Sequence, residues 1–374
     1  MSNVVRLPDR EHKLAEDPRR SYTLPARLYT SPETFAQEAE AVFFRSWMYA
    51  GHTEDLAEVG SYITCQILDQ NIMIVRGKDR QLRAFYNVCS HRAHELVKGA
   101  GRAKVIVCPY HAWSYHIDGR LRTARGSEKV DGFNADEFCL KPVKVEEFGP
   151  LIFINLDPAA ASMASQTGDM LAEIRQQIPE FDRLTRVSTQ TWELKANWKV
   201  IVDNFLECYH CKNAHPAFAE LVDLDTYRSV THGIYSTHLS KSGRSNNKAY
   251  KFSADDASQI GAFWWLWPTF TINAAPGPAN MAVFYILPLG PDRSVEVTEY
   301  FFGSKEMDAD QKARLDYANN VLTIEDNNIC EAVQRGLNQR GYSQGRFIVD
   351  RDRTEISEHA VHHFHTLVAQ ALGL

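Results

Sequence analysis

Over residues 60–157 the apolar positions of this chain come in short bursts: YITCQIL, NIMIVRG, LRAFYNV, AKVIVC, AWSYHI and LIFINL. Each burst has strand length. Gly77-Lys78-Asp79-Arg80 and Asp118-Gly119 read as hairpin turns between them. This predicts a small all-β unit. Ahead of it, SPETFAQEAEAVFFRSWMYA has a helical period, with Ser31 or Thr34 placed to cap it and Phe35, Ala39, Val42 and Phe43 on its inner face. Behind it, residues 158–185 are rich in Ala, Ser and Gln and read as a connector. The pattern then becomes mixed. TQTWELKA predicts a strand and NWKVIVDNFLECYHC one continuous helix. Long apolar strands are expected over 233–303, a helical pattern over 308–336, and a last helix over ISEHAVHHFHTLVAQAL. The expected class is α+β.

Composition narrows the picture. The chain has 374 residues, 44% hydrophobic and 24% charged, enough to bury cores in more than one domain. A net charge of -6 gives no electrostatic case for nucleic acid. The first twenty residues lack the apolar core of a secretory signal, and the most apolar stretch (261–290) is broken by Pro268, Pro276, Gly277 and Pro278. A cytoplasmic protein with no membrane partner is expected. The seven cysteines are odd in number and scattered, which argues for reduced thiols, metal binding or catalysis over a disulfide framework.

Two Cys/His pairs stand out: Cys89-x-His91 and Cys108-x-x-His111. Zinc sites of this composition group like ligands together. Here each pair mixes one thiolate with one imidazole. That pairing suits a [2Fe–2S] cluster whose thiolates hold one iron and whose imidazoles hold the other, which raises its potential. Mixed-ligand zinc is the alternative. Both pairs follow predicted strands, so both sit on loops.

A second group lies in NWKVIVDNFLECYHCKNAHP. On a continuous helix Asp203, Glu207 and His210 would share a face, and His215 follows. Acids on an otherwise apolar helix are costly to bury without a metal or partner. Two histidines plus a carboxylate make the facial triad of non-heme Fe(II) oxygenases. Glu325, Asp326 and Glu331 could each supply the carboxylate. Cys208 and Cys211 read as buried structural thiols.

These motifs resemble the oxygenase (alpha) component of Rieske non-heme iron oxygenases. Members usually read C-x-H-R-G and C-P-Y-H-G-W; this chain has Ala93 and Ala112 at the glycine positions. The resemblance implies an N-terminal all-β Rieske domain over 45–157 and a helix-grip (START-like) catalytic domain over 158–374, with a helical segment, 1–44, packed on the latter. It implies a Rieske cluster on Cys89, His91, Cys108 and His111, a mononuclear Fe(II) on His210, His215 and Asp326, a separate NAD(P)H-dependent reductase and a homotrimer. Glu207 would bridge His210 to His91 or His111 of a neighbouring subunit, with Asp203 supporting it.

Glu at position 207 is similar to the carnitine- and betaine-oxidising branch. This implies hydroxylation of a quaternary ammonium compound followed by C–N cleavage. Such a cation is recognised by aromatic faces. On one strand Phe263, Trp265 and Trp267 would share a side and form that wall; core packing is the competing role. An oxygenase of aromatic rings or aryl ethers, and a Rieske electron carrier without oxygenase activity, are the other hypotheses.

Overall fold

The structure, a computed structural model, describes residues 11–374. They divide into two units: Phe43–Gln166, and the residues up to Val42 together with Thr167–Leu374. The first ten residues of the expected 1–44 segment lie outside the described residues.

The Phe43–Gln166 unit contains β1 (Met48–His52), β2 (Ser61–Ile67), β3 (Gln70–Arg76), β4 (Leu82–Tyr86), β5 (Ala100–Arg102), β6 (Val105–Val107), β7 (Ser114–His116), β8 (Leu121–Thr123), β9 (Pro142–Phe148) and β10 (Leu151–Asn155). One sheet runs β1-β10-β9-β4-β3-β2-β5 and a second runs β6-β7-β8. In β3, Ile72, Met73, Ile74 and Val75 are all fully buried. A central strand covered on both faces produces just such an unbroken apolar run. Strands β1, β5, β8 and β9 go beyond the expected set. The first was absorbed into the helical reading of residues 31–50. The others are short or carry charges that mask the alternation.

The other unit is built on one antiparallel sheet of β11 (Thr185–Leu194), β12 (Val222–His232), β13 (Tyr235–Ser242), β14 (Ile260–Leu266), β15 (Phe270–Ala274), β16 (Asn280–Gly290) and β17 (Arg293–Phe302), in the order β11-β17-β16-β15-β14-β13-β12. The helix His359–Leu372 lies against it. Phe364, fully buried, meets Trp198 and Trp265 at ring-centroid distances of 5.5 Å each.

Four expectations need correcting. Residues 158–185 are not a simple connector: the helix Met170–Gln177 buries Met170 and Ile174, Ile178 and Phe181 follow them inside, and Glu173 accepts from Thr237 Oγ1 at 2.8 Å. In the helix Pro32–Glu38, capped by Ser31, the most buried face is Thr34 and Glu38 rather than Phe35 and Ala39. Cys208 and Cys211 are joined by a disulfide and are not free thiols. The predicted single helix through Cys211 stops at Phe205 and resumes at Cys211–Ala214. The break has a physical cause. The Glu207 carboxylate accepts the backbone N–H groups of Tyr209 and of His210, the latter at 3.2 Å, in place of a helical carbonyl.

The start of Trp198–Phe205 is anchored by a buried ion pair. Lys199 Nζ donates to Glu38 Oε1 at 2.5 Å and Trp198 Nε1 to Glu38 Oε2 at 2.8 Å, with Glu38, Trp198 and Lys199 all fully buried. Burial pushes the Lys199 pKa down, against the opposing pull of Glu38. Removing one buried partner strands the other charge. Lys199→Met alone is therefore expected to lower stability by about 3–5 kcal/mol. The Lys199→Met/Glu38→Gln double variant should recover most of that loss, as read from denaturant midpoints.

Candidate metal centres and active-site cavity

The two Cys/His loops fold alike. In the first, Cys89 N–H donates to His94 O at 2.8 Å and Ala93 N–H to Cys89 O at 3.0 Å. In the second, Cys108 N–H donates to Trp113 O at 2.8 Å and Ala112 N–H to Cys108 O at 3.1 Å. Each loop thus closes on its cysteine and presents a histidine at its tip. Both thiols are buried, and the His91 and His111 rings lie 4.7 Å apart, edge to face. His111 Nδ1 is buried without a hydrogen-bond partner, an orphaned lone pair or proton that metal ligation would satisfy. Trp113 stacks on His91 at 4.7 Å, and Tyr115 OH lies 3.2 Å from Cys89 Sγ. The four residues named from sequence fit a two-iron cluster.

The alanines carry a cost. Ala93 has φ +55° and Ala112 φ +60°, the left-handed region that suits glycine.

In the other unit His210, His215 and Asp326 come together, one ligand atom from each lying within 4.8 Å of the others. His215 Nε2 is 2.9 Å from Asp326 Oδ1, and His210 Nε2 is 3.6 Å from the same oxygen. The opposite ring nitrogens are held as well: His210 Nδ1 by Glu207 Oε1 at 2.5 Å and His215 Nδ1 by Glu325 Oε2 at 2.7 Å. A proton kept on each Nδ1 leaves Nε2 as the ligand atom. Two imidazoles and a carboxylate fit ferrous iron. Glu331 lies elsewhere, accepting the Lys195 N–H at 3.1 Å.

Charge at this centre calls for a cation. Burial disfavours the His210 imidazolium, yet Asp326 and Glu207 outweigh it and raise its pKa to about 10. His215 is raised despite burial, through Asp326 and Glu325. Burial works against the Asp326 carboxylate, but both imidazoles hold its pKa below the usual range.

Asp203 lies on the helix Trp198–Phe205, and Glu207 lies beyond its end. Asp203 accepts from Tyr29 OH at 2.7 Å and pairs with His365 Nε2 at 2.9 Å. Leu24 N–H donates to His365 Nδ1 at 3.1 Å, which puts the ring's proton on Nε2, facing Asp203. Asp203 lines a second cavity together with Glu207 and His210.

The metal group opens into a cavity of about 250 Å³. Sheet register builds its wall. His238 (β13), Phe263 (β14), Asn273 (β15), Ala282 (β16) and Tyr300 (β17) stand opposite one another, strand by strand, and all line the cavity. Glu296, Thr298 and Tyr300 alternate inward along β17. Phe263 therefore lies where sequence placed it. Trp265 and Trp267 do not: Trp265 is fully buried under Phe364, and Trp267 lies past the end of β14, against Trp198 and Phe364. Sequence reasoning missed Tyr227, His238, Tyr250, Glu296, Tyr300 and Arg314. The inward polar alternation of β17 within an apolar strand was the available signal for two of them.

Residues 46–134 match the Rieske [2Fe-2S] domain, and residues 181–374 match the family described as ring hydroxylating alpha subunit (catalytic domain). The carnitine monooxygenase oxygenase subunit of Acinetobacter pittii is 40% identical over 372 residues, 99% of each chain. A solved structure of a quaternary ammonium Rieske monooxygenase superposes with a TM-score of 0.89 at 39% identity, covering 95% of this chain and 96% of that one. A structure of such an enzyme in complex with its substrate L-carnitine gives 0.87 at 38%, covering 96% and 99%.

Two outcomes are expected. Glycine at either left-handed alanine removes the Cβ clash, so Ala93→Gly and Ala112→Gly should each stabilise the loop by roughly 0.5–1 kcal/mol. This is checked by the thermal bleaching of the cluster's visible absorption. At the mononuclear centre, a His210 pKa raised to about 10 stabilises the metal-free fold below its ordinary value of 6.5 and ceases to do so as pH rises through about 10. Iron held at His210 Nε2 would have to displace that proton. Fe(II) uptake near neutral pH should release protons and tighten as pH rises, as measured by calorimetry in buffers of different ionisation enthalpy.

Proposed function

This chain belongs to the ring-hydroxylating alpha-subunit family of Rieske oxygenases, and from that premise we propose that it is the terminal oxygenase of a quaternary ammonium monooxygenase. As a member it carries a Rieske [2Fe–2S] cluster and a mononuclear iron, and it works with a separate reductase. The observation that carries the reading is the convergence of His210, His215 and Asp326 on a cavity walled by aromatic rings. Supporting it is full-length similarity to carnitine monooxygenase subunits.

In this reading Cys89, His91, Cys108 and His111 hold the cluster, and His210, His215 and Asp326 hold the iron. The iron, when bound, supplies O2 activation with electrons delivered through the cluster. The protein's residues do the rest. Glu207 and Glu325 fix the tautomer and aim of the two histidines. Phe263, Tyr227 and the neighbouring rings offer π faces to a trimethylammonium group, which cannot donate hydrogen bonds. They also keep the reacting C–H bond out of bulk water. One oxygen atom enters the C–H bond beside the nitrogen and the other leaves as water, with electrons and protons from outside. The resulting hydroxylated carbon then gives up its hydroxyl proton to solvent, loses trimethylamine with the C–N bonding electrons, and becomes an aldehyde.

The proposal extends to the assembly. A homotrimer, with Glu207 reaching His91 or His111 of a neighbouring copy, would give electrons a short path. Inter-subunit electron transfer is described for the similar quaternary ammonium monooxygenase. Asp203 supports this route by holding the helix that leads to Glu207. The protein would act in the cytoplasm; no described helix is long and apolar enough to cross a membrane.

With purified protein and a compatible reductase, oxygen uptake should follow addition of carnitine or γ-butyrobetaine and yield trimethylamine. Turnover of benzoate-type acids alone would overturn the reading. Glu207→Gln should keep both metal contents and lower turnover by about 10–100-fold, as measured by iron analysis alongside oxygen consumption.

A further inference from the structure

The cavity wall carries a pair of sulfurs that the chemistry above does not use. Cys208 and Cys211 both line the cavity, are buried, and are bonded to each other. They bracket His210, and Glu207 stands immediately before them. Cys211 N–H donates to Cys208 O at 3.1 Å, so the bridge closes a single turn that contains a candidate iron ligand. Cys211 Sγ lies 4.0 Å from His210 Nε2, the nitrogen aimed at the metal position. The opposite nitrogen of that ring is held by Glu207, so the imidazole cannot swing away from the sulfur.

A bridge between residues three apart does little for the fold as a whole. The stabilisation a disulfide gives by restricting the unfolded chain grows with the loop it closes, and this loop is very short. Its effect is local, on the turn that carries His210. The C-x-x-C spacing is also that of dithiols that form and break readily. The chemistry of the two states differs at the metal. A disulfide sulfur has no thiolate to offer, whereas a freed cysteine does, and iron accepts thiolate ligands. Once unbonded, the two sulfurs must move apart to van der Waals distance. Leu221, Tyr227 and Tyr250 pack on the pair, and the cavity is the unfilled space beside it. A staggered turn about one Cα–Cβ bond is all that a freed Cys211 needs to enter that space.

We propose that Cys208 and Cys211 form a redox-switched ligand site: as a disulfide they leave the iron position clear, and as a dithiol they let Cys211 supply a further ligand beside His210. This rests on the iron-binding role of His210 in the reading above. Reduction takes two electrons and two protons from a dithiol, which leaves as its own disulfide. The bond between the two sulfurs breaks and two thiols form. Cys211 gives its proton to solvent when its sulfur takes the metal. The thiolate then fills a position that O2 needs. The oxygenase is therefore competent when the pair is oxidised and restrained when it is reduced.

The test is electron paramagnetic resonance of the nitric oxide complex of the mononuclear iron, read on the purified holoenzyme without oxygen. The two forms are prepared with oxidised and with reduced dithiothreitol, which is then removed. Alkylation and mass spectrometry establish the state of the pair. Reduction is expected to change the shape of the nitric oxide signal and to suppress substrate-dependent oxygen uptake, and reoxidation to restore both. Cys208→Ala leaves Cys211 permanently free and should give the reduced form's signal whatever the treatment. Cys211→Ala removes the ligand and should give the disulfide form's signal in both. A bridge that only staples the turn would make the two variants behave alike, which would overturn the proposal. The wild-type comparison stands even if a variant fails to fold: a signal indifferent to the state of the pair, or a pair that cannot be interconverted in the native holoenzyme, would overturn it as well. If no form gave a nitric oxide signal from a mononuclear iron, the assignment of that iron to His210, His215 and Asp326 would fall, and the switch with it.

Discussion

Each histidine that faces the mononuclear centre is gripped from behind by a carboxylate, and the catalytic unit is arranged around this constraint. Glu207 holds His210 at Nδ1, and Glu325 holds His215 at Nδ1. Glu325 and Asp326 are adjacent on the helix Thr323–Leu337, yet they take opposite nitrogens of the same His215 ring. One helix turn therefore sets both the orientation of one candidate ligand and the position of the next. The result is a partly buried cluster of acids and imidazoles whose charge balance favours a cation, either protons or a metal. A ferrous ion bound there would satisfy it, with the ring nitrogens already aimed.

That grip requires the chain to stop being helical at Glu207, and the segment before the break must be firm for the break to be reproducible. Two buried polar clusters supply this. Lys199 and Trp198 are tied to Glu38, and Asp203 is tied to Tyr29 and His365. The partners come from near the start of the chain and from its last helix. The position of Glu207 thus depends on residues remote from it in sequence. A helix held at its first turn and again near its end transmits little slack to the residue that follows. The electrostatic expense of burying Glu38 and Lys199 is understandable here, because an apolar pair would leave the start of the helix less uniquely placed.

Legibility in the sequence followed locality. The Cys89/His91 and Cys108/His111 loops were readable because ligands, strand ends and turn residues are contiguous. The glycine-like positions were also visible, and both alanines do adopt positive φ. His210 and His215 were readable for the same reason. Asp203, Glu207 and His210 do line one cavity, but not as one helical face, because side-chain capping by Glu207 competes with the helix and no periodicity argument includes that competition. Asp326 came from family resemblance; three acids in one helix are equivalent until the fold chooses. Trp265 was misplaced because a strand face can run from cavity to core within two residues, and the transition depends on where the helix His359–Leu372 lands. Arg314 was invisible. Its helix carries Asp310, Lys312, Arg314 and Asp316 in a pattern that reads as a solvated surface, and nothing local marks the turn that faces inward.

Register is what converts these separate residues into one cavity. The row from His238 through Phe263, Asn273 and Ala282 to Tyr300 exists because five strands pair without a slip at that level. Shifting any one of them by a residue would turn its contribution to the opposite face. Within the row the side chains differ in size, and Ala282, between Asn273 and Tyr300, is where volume is left open. The polar members are kept legitimate by partners: His238 is held by Tyr227 at 2.5 Å and Ser236 at 2.9 Å, and burial pushes its pKa down to about 3, so it adds no charge at neutral pH. The charge in the cavity is therefore left to Glu296, Arg314 and the acids and imidazoles of the candidate metal group, within an otherwise neutral and aromatic wall.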